Sequence, residues 1–265
     1  MSQATARIAT TIWHEERQPD NPFATHIARC RGYDVYGDLL GRASWTDMFF
    51  LLFHGEAPTQ AEAATLETLA VALANPGPRD PSVHAAMCGG IGGSTSASCL
   101  MAALAVGAGQ LGGAREVATV IESWQNCLCD DEAWATRLSA TPRKKASTWP
   151  ETKHIAGFDP HASTVSLPVR QTLHSLAEVS PGKFLPWLQD KRETLEKLAG
   201  SPLSMTGVCA AALADIGFSP EQGEMLYLLL RLPGAAAHAL EQKQTNHRDF
   251  PFFALNLITP AGERS

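Results

Sequence analysis

Apolar residues recur at helical spacing along most of the chain. Ser44 precedes the segment WTDMFFLLFHG, with Asp47 three residues on and Gly55 at its end. A capped helix with a glycine stop follows from that pattern. Thr59 and Glu62 form a capping-box pair. They predict a helix through Leu66, Leu69 and Leu73 that ends before Asn75-Pro76-Gly77. Residues 94–109 read as a buried helix whose small side chains let neighbours approach closely, and residues 117–124 resume the pattern after Gly112-Gly113. Ser219-Pro220 with Gln222 opens a further helix through Met225, Leu226 and Leu229, with a stop expected near Pro233-Gly234. Strand signals are confined to residues 8–13 and 26–31. The expected fold class is all-α.

Composition agrees. The 265 residues are 45% hydrophobic and 18% charged, enough to bury a sizeable core, and only 7% aromatic. Much of the apolar content is Ala and Leu, which favours close-packed helices over sheets. Net charge is −6, which argues against a nucleic-acid partner. The start, MSQATARIATTIW, lacks the charged and apolar regions of a signal peptide, and no apolar run reaches membrane-spanning length. Of six cysteines only Cys127 and Cys129 are close, and no second pair completes a zinc set. Reduced thiols and a cytoplasmic location, with no membrane partner, no metal and no tightly bound cofactor, are the expectation. Composition shifts at residues 126–153, and the helical pattern resumes near Pro202. These mark residues 126–201 as a small domain and 1–125 with 202–265 as a large helical one.

Three stretches carry a resemblance. Arg31-Gly32-Tyr33-Asp34 leads into DLLGRASWTDMFFLLFHGEAPT. ANPGPRDPSVHAAM is followed by GQLGGAREV. HIAGFDPHAS and PVR precede RLPGAAAHALEQK. In this order they resemble the citrate synthase superfamily, and its short branch most: citryl-CoA lyase and the C-terminal module of ATP-citrate lyase.

That resemblance implies a large and a small helical domain and active sites in the cleft between them. It implies an obligate homodimer, or a dimer of dimers; a non-catalytic role would add a heteromer with an intact paralogue. Its chemistry joins or cleaves a carbon–carbon bond between an acyl-CoA and a keto acid. A carboxylate takes a proton from the thioester, histidines donate, and arginines hold carboxylates. A CoA thioester and a small carboxylate are the implied ligands.

Carried over residue by residue, the proton-transfer groups are replaced. The family histidines fall on Pro76, Leu111 and Pro160, with His161 one place beyond. The family aspartate falls on Leu203 or Ser204; the nearest acids in sequence are Asp215 and Glu196. The anion-holding positions fare better. Arg231 matches the carboxylate-binding arginine of the last helix, Arg170 lies one place beyond its expected position, and Arg248 lies near the arginine sent to a neighbouring subunit. His84 and His238 match the two AH motifs. Each has a plainer alternative: Arg231 ending a helix against its dipole, Arg170 and Arg248 in solvent, His84 and His238 bonded in the core, His161 in a turn. The glycine run after Cys88 admits either an anion contact at a helix start or tight helix packing.

Two functions compete. One is a citrate synthase-like protein with degenerate acid–base residues, part of an acyl-CoA and di- or tricarboxylate cleft, and a non-catalytic or partner-subunit role. The other is an active enzyme of the same type using substitute residues, His161 first among them and then His84 or His154, on the family's substrates or, as a changed reaction, on a different acyl-CoA or keto acid.

Overall fold

The computed structural model describes residues 10–139, 154–245 and 247–249. It opens on a three-stranded antiparallel sheet of β1 (Trp13–Arg17), β2 (Thr25–Cys30) and β3 (Tyr33–Asp34). Trp13 pairs with Cys30 and Glu16 with Ile27. Arg31 and Gly32 take positive φ, +50° and +93°, and reverse the chain between β2 and β3. The second expected strand is found. The first is displaced: Trp13 begins it rather than ending it, because the turn at Asn21–Ala24 and the Arg31-Gly32 reversal set the register. Residues 8 and 9 of that expected strand lie outside the described residues.

After a π-helical turn at Val35–Leu39 come, among the described residues, ten α-helices. In α1 (Trp45–His54) the Ser44 side chain accepts from Asp47 N, the Asp47 side chain accepts from Ser44 N, and Gly55 closes the helix at φ +98°. Thr59 and Glu62 exchange the same pair of bonds at the start of α2 (Gln60–Leu73). The later helices are α3 (Pro81–Ile91), α4 (Ser96–Gly107), α5 (Ala114–Cys127), α6 (Asp131–Ser139), α7 (Leu167–Val179), α8 (Phe184–Ala199), α9 (Met205–Asp215) and α10 (Pro220–Gln242). No described helix is long and apolar enough to cross a membrane.

The chain divides into two compact units. The first holds residues up to Leu73 and Ala108–Leu230; the second holds Ala74–Gly107 and residues from Arg231 onward. In the first, α5 packs along α9, where the run from Val208 to Leu213 is wholly buried. Three alanines and Cys209 in that run keep the helices close. Trp124 fills the space towards α6 and α8, ringed by Trp134, Phe184 and Trp187. Helices α6, α7 and α8 contribute Leu138, Leu176 and Leu185 to the same core.

The second unit pairs α3 with α4 and adds the end of α10, over a core of Val83, Ala86, Cys99, Ala103, Ala235 and Ala239. Two expectations change here. Helix α4 is not buried all round: Cys99, Ala103 and Gly107 face the core, while Met101 is 60% exposed. The helix opened at Ser219 does not stop at Pro233 but continues to Gln242. Proline removes one donor from the ladder, and the next N–H, of Gly234, bonds instead to Ala74 O at 2.7 Å, so neither position leaves an orphan donor. In the glycine run, Gly90 is helical, and a Cβ there would overlap the Ala239 carbonyl. Close helix packing explains that glycine.

Candidate functional site

A cleft of about 600 Å³ opens in the first unit. One wall is the 162–165 segment with Arg170 from the first turn of α7. The other is the last turns of α8, with Arg192, Glu193, Glu196 and Lys197, and the 200–202 turn. Helix α8 ends because Gly200 takes φ +68°, and Gly200 N bonds back to Glu196 O. That reversal brings Pro202 and Leu203 against the loop at 157–159. Ser204 N donates to Gly157 O at 3.0 Å, Asp159 N donates to Pro202 O at 2.8 Å, and Phe158 bridges Leu203. The two walls are thus joined at their base by backbone bonds.

The cleft carries net positive charge. Arg192 donates to Glu196 at 2.8 Å and to Glu193 at 3.0 Å. Among the described residues, no side-chain hydrogen bond or ion pair engages Arg170 or Lys197, and both are exposed. Exposed cations in a concave site attract anions. Glu196 also accepts from Leu203 N at 3.1 Å, so the acid seven residues upstream in sequence touches the segment expected to carry an acid. Leu203 itself is 3% exposed, and the Ser204 hydroxyl caps α9 by accepting from Gly207 N. Neither can take up a proton at neutral pH. Asp215, the other nearby acid in sequence, accepts from Phe184 N, Leu185 N and the Ser180 hydroxyl, and so caps α8.

Behind the cleft lies Glu116, in the first turn of α5 and 1% exposed. Its Oε1 accepts from Gly157 N at 2.9 Å and Thr206 Oγ1 at 2.6 Å; its Oε2 accepts from Gly112 N at 2.6 Å and meets His154 Nε2 at 2.7 Å. Thr206 Oγ1 continues to Ser204 Oγ at 2.6 Å.

The sequence candidates separate between the units. In the first, Arg170 lines the cleft, and His161 is exposed one residue before the wall begins, its N–H donating to Asp159 Oδ1 at 2.8 Å in a side-chain-closed turn. In the second, Arg231 is 6% exposed and ion-paired with Asp80, whose other oxygen accepts from Ser82 N. His84 Nε2 stands 3.6 Å from Cys88 Sγ, and His238 Nε2 stands 3.2 Å from Asn75 Oδ1. Arg248 is exposed in the turn His247–Asp249. Leu111, where a family histidine falls, is 64% exposed. All six cysteines are free thiols; burial pushes the Cys30, Cys127 and Cys129 thiols up, and among the described residues no group of side chains could hold a metal. Sequence reasoning missed Glu116, Thr206 and Lys197. The one local signal was a glutamate at the third position of a helix that follows a glycine pair, where it can reach back to a free N–H.

Compared by sequence, the chain matches no protein-family model and no curated protein. Compared by structure, it matches the citryl-CoA lyase of Hydrogenobacter thermophilus with a TM-score of 0.69 at 20% identity, over 95% of this chain and 96% of that one. The ATP citrate lyase of Methanothrix soehngenii, solved with citrate and coenzyme A, matches with a TM-score of 0.67 at 19% identity, over 97% of this chain and 43% of that one. The citrate synthase of Thermoplasma acidophilum, in a ternary complex with carboxymethyl coenzyme A and oxaloacetate, matches at 0.59 and 18% identity, over 84% of this chain and 59% of that one. The fold is citrate synthase-like. Two kinds of enzyme in that list, lyase and synthase, share this architecture, so fold alone does not choose a reaction. Helix α5 follows the glycine turn at 112–113, and of the neighbouring segments residues 162–165 and 200–202 line the cleft.

Proposed function

We propose that this chain is a citrate synthase-like protein that binds a CoA thioester or a small di- or tricarboxylate and acts as a non-catalytic or partner subunit. Arg170 and Lys197 meet the anion in the cleft. Arg231, Arg248 and His84 are the further ligand-binding residues of this reading, and a carboxylate bound at Arg231 competes with Asp80. Residues 126–201 form the smaller functional domain and 1–125 with 202–265 the larger one. The protein works in the cytoplasm as a homodimer or beside an intact paralogue.

The observation that carries the reading is the pairing of a cationic cleft with a start of α9 that has no acid: Leu203 is buried, and Ser204 is used as a cap. Binding survives such a replacement, whereas loss of one general acid or base costs roughly 10²- to 10⁴-fold in rate.

A second reading, the active enzyme, is favoured by one contact. Glu196 reaches Leu203 N and lines the cleft, so a carboxylate is supplied in space where sequence lacks one, and His161 precedes the opposite wall by one residue.

One experiment tests both. Acetyl-CoA and citrate are added to the protein in a thermal melt, with free thiol and deuterium uptake into the acetyl methyl followed in parallel. The binding reading expects protection by a ligand, lost in Arg170→Ala for acetyl-CoA and in Arg231→Ala for citrate, without thiol release or methyl exchange. No protection by either ligand sinks it. Methyl exchange that disappears in Glu196→Gln establishes the second reading instead.

A further inference from the structure

Glu116 is a carboxyl group with four polar partners and almost no solvent. It accepts from Gly112 N in the turn before α5, from Gly157 N in the loop that leads to one wall and from Thr206 in the first turn of α9, and it meets His154 Nε2 in that same loop. Gly157 and Thr206 are 41 and 90 residues away from it in sequence. No other group in this site faces so many polar partners, and a carboxyl group has the lone pairs to accept from several of them at once. Gly157 holds φ +89°, with the Val120 side chain 3.2 Å from where a Cβ would stand, so the loop reaches Glu116 only as bare backbone. The carbonyl of the same glycine accepts from Ser204 N. One peptide segment is therefore gripped from both sides: its N–H by Glu116, its C=O by the start of α9.

We propose that Glu116 is the positioning residue of the cleft, a buried carboxylate that fixes the 154–165 wall to the 202–206 segment and so sets the affinity for ligand. The last clause rests on the binding reading given above; the grip itself does not. Glu116 touches no ligand and acts through Gly157 and Thr206. An amide cannot replace it in full. Whichever way the Gln side chain of Glu116→Gln turns, its NH₂ faces one backbone N–H, that of buried Gly157 or that of exposed Gly112, and this donor loses its carboxylate acceptor. Hydroxyl loss at Thr206 withdraws one donor and unties α9 alone.

The test measures backbone amide exchange by mass spectrometry and acetyl-CoA affinity by calorimetry on the full chain, for the wild type, Glu116→Gln, Thr206→Val and Thr206→Ser. Peptides covering 154–165 and 201–206 are expected to exchange at least tenfold faster in Glu116→Gln, with β2 and α2 unchanged, and acetyl-CoA affinity is expected to fall about tenfold. Thr206→Val shifts both in the same direction by less, and Thr206→Ser, which restores the donor, returns both to wild type. If Glu116→Gln does not fold, the Thr206 pair decides. Wild-type exchange in these peptides overturns the grip. Faster exchange with unchanged affinity overturns the positioning role. A wild-type chain that binds no acetyl-CoA overturns the binding reading, and the exchange arm still decides the grip.

Discussion

Gly207, one turn into α9, shows how little room the site leaves. A Cβ there would stand 2.5 Å from the Gly157 oxygen and 2.8 Å from a Leu203 methyl. The first contact is backbone and cannot rotate away. Gly207→Ala is expected to lower stability by about 1–3 kcal/mol, the usual range for overpacking, and to loosen the wall at 157–165. A urea melt checks the first effect and amide exchange the second; a variant as stable as the wild type would mean that α9 shifts freely against the loop. Leu203 and Ser204 stand where the sequence resemblance leads one to expect an acid, but the proposed spatial substitute is not legible in the sequence. Glu196 looks remote because the string places it seven residues away, and only the Gly200 reversal carries it back to Leu203 N. The buried state of Arg231 is likewise absent from its motif, since its partner Asp80 lies 151 positions away.

Helices α8 and α9 are joined through one carboxylate. Lys183, at the start of α8, makes no side-chain cap, and Asp215 at the end of α9 supplies the acceptor for two amides of the first turn. A cap borrowed from another helix fixes the angle of α8 as well as its start, and α8 carries one wall of the cleft. Asp215→Ala removes the acceptor and leaves buried amides unpaired, which is expected to cost about 1–3 kcal/mol. The denaturant midpoint of Asp215→Ala, read by circular dichroism, checks it, and Asp215→Asn, which keeps an oxygen, should recover part of the loss. A midpoint equal to the wild type would show that water replaces the cap. Helix starts were readable at Ser44, Thr59 and Ser219 because both partners of each cap lie within four residues. The cap of α8 was not, because its partner is 31 residues away.

In the molecule as a whole, the second unit has the smaller core among the described residues. That core is Val83 with alanines and Cys99, while Met101 and Leu240 are more than half exposed. Full burial of a valine-sized side chain gives about 1.5–3 kcal/mol, and alanines give less; the proposed homodimer would add burial by covering apolar surface with a second copy. Sedimentation at micromolar concentration is expected to show a species of about twice 28.4 kDa and no folded monomer; a stable monomer would refute the dimer. The all-α class, the capped helix starts and the glycine breaks follow from contacts within a few residues, and such contacts are present in the string itself. The length of α10 was not among them: Pro233 reads as a stop until Ala74 offers an acceptor to Gly234 N. Nor were the pairing of Glu116 with Gly157 and Thr206, the placing of Glu196 or the charge of the cleft. These depend on groups tens of residues apart, and whether a carboxylate becomes a cap, a grip or a cleft lining is decided by which donors the folded chain brings to it.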